Sequence, residues 1–270
     1  MTKLRIALFC VIGGLPLAFI APTRNATLQC WLAGILLAAC FVPVALYGPK
    51  TILAQFGVIG TAVLFVTSFC TWTEAMLFMP SAFKGHPWQA LIGGSIVYLV
   101  IALILSVLAR VLKLNRESER ETIAPKLSMV PLLIIAAGIA YAIYYFIFGA
   151  ITFKFFTYKY YPDAVQLAAS WGMWFWVLQI GRGILMTLSI LPILYTLRLS
   201  RAKLALTAGM VVWIAGGAAP LLIPMDFMTP TQRFIHVIEI LTQNFSLGVT
   251  AAYLLRRTAS PKSLSAGSGI

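Results

Sequence analysis

Eight continuous apolar runs take up almost the whole of this chain, at roughly 5–21, 29–47, 52–79, 89–112, 129–152, 172–197, 204–223 and 231–255. A helix needs about 20 mostly apolar residues to cross the hydrocarbon core of a bilayer. Inside lipid every backbone N–H and C=O must find a partner within the protein, so only helices and closed barrels span. A barrel strand would read as about ten residues of alternating hydrophobicity, and these runs do not alternate. The pattern predicts an all-α integral membrane protein, a bundle of about eight transmembrane helices. Composition agrees, since only 10% of the 270 residues are charged, against about 25% in a soluble domain. Residues 1–257 read as a single transmembrane domain, with the inner loop 114–128 between two four-helix halves. The halves show no convincing repeat, which argues against an inverted-repeat transporter fold. The Ser/Gly-rich stretch 258–270 reads as a disordered cytoplasmic tail.

The net charge of +13 does not point to nucleic acid, because the basic residues sit at helix ends. With the N-terminus inside, inner segments hold Lys3, Arg5, Lys50, Arg110, Lys113, Arg116, Arg120 and Lys126. They continue with Arg198, Arg201, Lys203, Arg256, Arg257 and Lys262, whereas outer segments hold only Arg24, Lys84, Lys154, Lys159 and Arg233. That asymmetry follows the positive-inside rule and places both termini in the cytoplasm.

Cys10, Cys30, Cys40 and Cys70 all fall in apolar runs without metal-ligand spacing. They read as small buried hydrophobes, with a Cys30–Cys70 disulfide open as an alternative. Lys3 and Arg5 before an apolar run resemble a signal peptide, but the segment is read as a retained first helix. The Cys40 lipobox-like LAAC lies too far along the chain, and the Asn25 sequon matters only in a eukaryote. Glycine pairs at 57/60, 93/94, 181/183 and 216/217 are expected to let helices approach closely. Pro192 and Pro220 are expected to loosen their helices. Thr229 before Pro230 is a good helix start at the outer face.

The last run carries a polar stripe. Gln232, His236, Glu239, Gln243, Ser246 and Thr250 are 4, 3, 4, 3 and 4 residues apart, which puts all six on one face of a 3.6-residue helix. Arg233 and Asn244 fall on another side. Ionisable residues at depth are costly and usually face a partner, a cavity or a pathway. Glu74 in the third run is about 9 Å below its outer end at 1.5 Å per residue, and Arg182 in the sixth is about 15 Å down with Gln179 one turn above. His236 and Glu239 lie about 9 and 14 Å below Pro230 on the same measure. A lone guanidinium at depth costs at least ~3 kcal/mol, so Arg182 needs a counter-charge. The expected arrangement is an Arg182–Glu239 pair, with Glu74 and His236 completing a cluster. Six polar residues along five turns suggest the wall of a wet, outward-opening cavity. The aromatic and lysine-rich segment 153–170 suits an interfacial belt or a lid over that cavity.

Three segments resemble a pattern found in uncharacterised bacterial multi-pass inner-membrane proteins. They are RFIHVIEILTQNFSLG (Arg233–Gly248), YYFIFG (Tyr144–Gly149) and TWTEAMLF (Thr71–Phe78). In that pattern an Arg–x–x–His–x–x–Glu run opens the last helix. The resemblance implies a bacterial inner-membrane setting and points to Arg233, His236, Glu239 and Asn244, but it implies no activity.

No GxSxG, HExxH, Walker or dinucleotide-binding motif is present. With only His86 and His236, no multi-histidine metal or haem site is expected, and no cofactor is implied. Three functions compete. The first is a pocket lined by Arg182, Gln179, His236, Glu239, Gln243 and Glu74 that binds or transports a small polar or amphipathic anion. The second is a membrane-embedded enzyme acting on a lipid or isoprenoid, with Glu74, Glu239 and His236 as acid–base candidates. The third is an assembly subunit whose stripe meets another protein's helix. Partners are then membrane lipids, a small-molecule or lipid ligand, and either a membrane-protein partner or a second copy.

Overall fold

The computed structural model of the chain describes residues 2–21, 23–79, 83, 85–116, 122–160 and 164–258. Lys84, the central-loop residues Glu117, Glu119, Arg120 and Glu121, and the tail 259–270 lie outside the described residues. Among the described residues, seven helical segments are long and apolar enough to cross a membrane. They are Thr2–Phe19, Arg24–Tyr47, Ile52–Phe78, Pro87–Val111, Leu127–Thr157, Met173–Thr196 and Arg201–Leu222. An eighth helical stretch follows as Pro230–Ile240, a π turn at Leu241–Phe245, and Ser246–Leu255. It has the length to span, but its polar stripe makes it less apolar than the other seven. A short helix, Ala164–Ser170, lies between the fifth and sixth.

The outward face of the bundle is the face lipid would cover. On the fourth helix Ile92, Ile96, Val100, Leu103 and Val107 are all exposed at helical spacing. On the fifth, Leu132, Ile135, Ile139 and Ile143 are likewise exposed. A soluble monomer rarely leaves such continuous apolar stripes bare.

Backbone pairing fixes which helix ends lie together. Thr122 and Ile123 pair antiparallel with Thr258 and Arg257, and the Arg116 N–H donates to Leu46 O at 2.7 Å. The central loop and the stretch after the last helix therefore share one end of the bundle. Pro230–Leu255 packs along the fifth and seventh helices.

At several crossings small residues set the helix spacing. A Cβ on Gly183 would stand 2.9 Å from Gly138 Cα, and one on Gly248 would stand 2.5 Å from Ala208 O. Of the glycines expected to serve this way, Gly60, Gly183, Gly216 and Gly217 are at contacts. Gly57, Gly93, Gly94 and Gly181 face open space instead, with nothing in the described structure within 4 Å of a built Cβ. A glycine pair reads the same whether it faces a helix or the lipid, which is why sequence cannot separate them. All four cysteines are free, so the Cys30–Cys70 disulfide does not form.

Four stretches wind as π-helix: Val63–Cys70, Phe153–Thr157, Ile214–Ala218 and Leu241–Phe245. The third ends just ahead of Pro220, whose ring nitrogen has no hydrogen to donate. Three of the four meet at Gly216, where an added Cβ would lie 2.8 Å from both Val66 Cγ1 and Asn244 Nδ2. Single π turns within α-helices are uncommon and concentrate at functional sites.

Candidate functional site: a polar-floored cavity between the third, fifth and eighth helices

At the end of the bundle opposite the β pairing lies a cavity of about 900 Å³. Its walls come from the third helix (Thr71, Glu74, Phe78), the fifth (Tyr145, Gly149, Phe153), the sixth (Phe175, Trp176) and the eighth (His236, Glu239). Gly216 and Gly217 of the seventh complete it. The three segments Thr71–Phe78, Tyr144–Gly149 and Arg233–Gly248, far apart in sequence, converge here. Thr157, Tyr160, Ala168 and Gly172 also line it, so described residues of the segment 153–170 contribute to the cavity wall.

Thr229 and Gln232 start the eighth helix with a reciprocal capping box. The Gln232 N–H donates to Thr229 Oγ1 at 3.3 Å, and the Thr229 N–H donates to Gln232 Oε1 at 2.7 Å. Arg233 donates to Ile223 O at 3.1 Å, and Asn244 donates to Val212 O at 3.3 Å. Both look toward the seventh helix. The stripe looks the other way, toward the fifth, where the Tyr144 and Thr250 hydroxyls are 2.8 Å apart. The two sides of this helix divide as its spacing predicts.

The charge pairing differs from the expectation. Arg182 Nη2 donates to Glu74 Oε2 at 2.7 Å, and its Nη1 donates to Gln179 Oε1 at 2.9 Å. Tyr145 donates its hydroxyl to Glu74 Oε1 at 3.2 Å. Arg182 also sits 5.8 Å from the ring centres of both Tyr141 and Tyr145. Glu239 is paired elsewhere: His236 Nδ1 is 3.0 Å from its Oε2, and Gln243 donates to its Oε1 at 3.3 Å. The expected Arg182–Glu239 pair is replaced by two separate pairs, both bordering one cavity. The depth estimates, about 14 Å for Glu239 and about 9 Å for Glu74 against about 15 Å for Arg182, favoured the wrong carboxylate. Helix order settles it, because the third and sixth helices pack directly and Cys70 Sγ contacts Arg182 O at 3.9 Å.

The expected ligand-binding set divides accordingly. Glu74, His236 and Glu239 line the cavity, whereas Gln179, Arg182 and Gln243 are buried behind it. Exposure decides which partner a ligand meets: the Arg182 side chain is 6% exposed and Glu74 is 26% exposed. The wet wall of six residues is also corrected. Only His236 and Glu239 of the stripe line the cavity; Gln232 caps the helix, Gln243 supports Glu239 and Thr250 ties the helix to Tyr144. The stripe still looks toward the fifth helix, but the cavity borders only part of its length.

Tyr141 and Tyr145 were missed, although a hydroxyl deep in an apolar helix generally needs a partner. That was the available signal. Among the described residues no group of three or more His, Cys, Asp or Glu could hold a metal ion. The cavity can hold an apolar body against aromatic side chains and place its polar end between two carboxylates and an imidazole. Comparison with known protein families, characterised proteins and solved structures found no match.

Proposed function

We propose that this is an eight-helix membrane protein that binds, and carries or presents, an amphipathic small molecule in the cavity. The observation behind the reading is the cavity itself. At about 900 Å³ it falls in the range of small-molecule sites, which are mostly apolar with a few placed polar groups. In this reading Pro230–Leu255 is the eighth span, the end bearing the β pairing and most basic residues is cytoplasmic, and the membrane is a bacterial inner membrane. The charge asymmetry supports that sidedness. An anionic ligand was expected because Arg182 would meet it, but that guanidinium is engaged by Glu74 and Gln179.

Native mass spectrometry of the gently solubilised protein tests the reading. Wild type should retain a defined lipid-sized ligand, and Ala75→Trp, which fills the cavity from the third helix, should lose it. Retention by both proteins, or by neither, would overturn the proposal.

A membrane-embedded enzyme is the second reading, favoured by the His236–Glu239 contact of 3.0 Å at the cavity wall, a geometry suited to proton transfer. Product formation from a lipid panel that stops in Glu239→Gln would bring it forward. The assembly reading draws no support from the stripe, whose partners Tyr144 and the Thr229 cap lie within this chain.

A further inference from the structure

We infer that the ligand's head group is a cation, an ammonium carried on an apolar chain or ring system. This rests on the amphipath-binding reading above and deepens it. Among the described residues, the cavity is lined by two carboxylates, Glu74 and Glu239, one imidazole, His236, and no Lys or Arg. Arg182 lies behind Glu74, and its two terminal nitrogens donate to Gln179 and Glu74. Each carboxylate has about four lone-pair positions. Two are in use on Glu74, by Arg182 and Tyr145, and two on Glu239, by His236 and Gln243. Both therefore keep acceptor capacity, and both are partly exposed, at 26% and 15%. A ligand carboxylate or phosphate would meet these acceptors with like charge; an ammonium would complement them.

The wall beside them fits the same chemistry. Tyr145, Phe175, Trp176 and Phe146 form a continuous aromatic run, with ring centres 6.1, 5.7 and 5.5 Å apart in turn. Aromatic faces attract weakly hydrated cations, and aromatic cages are a recurring way of binding quaternary ammonium. Tyr145 already does so with Arg182, 5.8 Å from its ring centre. Carboxylates at the floor and aromatic faces at the side both select positive charge, while the apolar remainder of the cavity takes the chain.

The test is equilibrium binding, in non-ionic micelles, of three amphipaths with one alkyl chain: dodecyltrimethylammonium, dodecanoate and dodecanol. Specific binding is the part lost in Ala75→Trp. The ammonium should bind at least ~10-fold tighter than dodecanoate, the ratio that about 1.4 kcal/mol produces. Glu239→Gln should remove most of that preference and leave dodecanol binding unchanged. Trp176→Leu should weaken the ammonium more than dodecanol, a second check that leaves both ion pairs in place.

Equal binding of all three would refute the cationic head group but leave the amphipath reading standing, whereas no specific binding of any would refute both. Tighter binding of dodecanoate, or an unchanged preference in Glu239→Gln, would also overturn the inference. The ammonium could belong to a membrane aminolipid or to a free amphiphile. Native mass spectrometry in micelles doped with phosphatidylethanolamine or phosphatidylglycerol separates these sources. Selective retention of the first supports the inference with a lipid source. Retention of neither, with tight dodecyltrimethylammonium binding, supports it with a free source. Selective retention of phosphatidylglycerol overturns it.

Discussion

The two ends of the bundle are built differently. At the end carrying the β pairing, helices meet backbone to backbone over glycine and alanine, as Gly248 does on Ala208. At the other end, three π turns crowd around Gly216, and beyond them the third, fifth and eighth helices part around a cavity. Close crossings fix helix spacing through van der Waals contact, the main force available between helices in lipid. Polar groups then hold position where that contact is absent: the Glu74–Arg182 ion pair joins the third helix to the sixth across the cavity floor, and the His236–Glu239 contact braces the eighth. The lesson is that the polar residues do not replace the packed core but take over where it stops.

Four substitutions test this division. The largest effect is expected from Glu74→Ala, which leaves Arg182 buried without its anion; breaking such a pair costs about 3–5 kcal/mol. Arg182→Ala should cost less, because Glu74 keeps access to the cavity. Reversible denaturant unfolding in micelles measures both, and equal losses would mean that exposure of the surviving partner does not matter. Next is Gly248→Ala, whose new Cβ would stand 2.5 Å from Ala208 O; overpacking of this kind costs about 1–3 kcal/mol. A neutral result in the same assay would show that the packed end yields as readily as the open one. The smallest effect belongs to Gly149→Ala at the cavity. There the nearest atoms to a built Cβ are Glu239 Oε1 at 3.6 Å and Gln243 Nε2 at 3.7 Å, so stability should stay within about 0.5 kcal/mol. A large loss there would place Gly149 in the packed region and erase the contrast.

Much of the fold was legible because the bilayer demands long apolar runs. All eight runs are helical, and the Thr229–Pro230 start forms the capping box its residues predict. The site was legible in its membership but not in its pairing. Glu74, Arg182, Gln179, His236 and Glu239 stand out because polar groups at depth are rare. Which of them touch depends on helix adjacency, which depth alone does not reveal. Nor does a shared helix face mean a shared environment: of the stripe, His236 and Glu239 line the cavity, Gln232 caps the helix and Thr250 meets Tyr144. Tyr145 went unnoticed because a tyrosine counts as apolar in a hydropathy pattern while its hydroxyl serves Glu74.

The short ladder between Thr122–Ile123 and Arg257–Thr258 also bears on the order of assembly. Its two strands lie at opposite ends of the second half of the chain, so the helices between them must be brought together before they can meet. Closing so long a loop is a late and entropically costly event. Amide protection at Ile123 and Arg257 would therefore act as a completion signal, absent from any intermediate whose last helix has not yet been threaded.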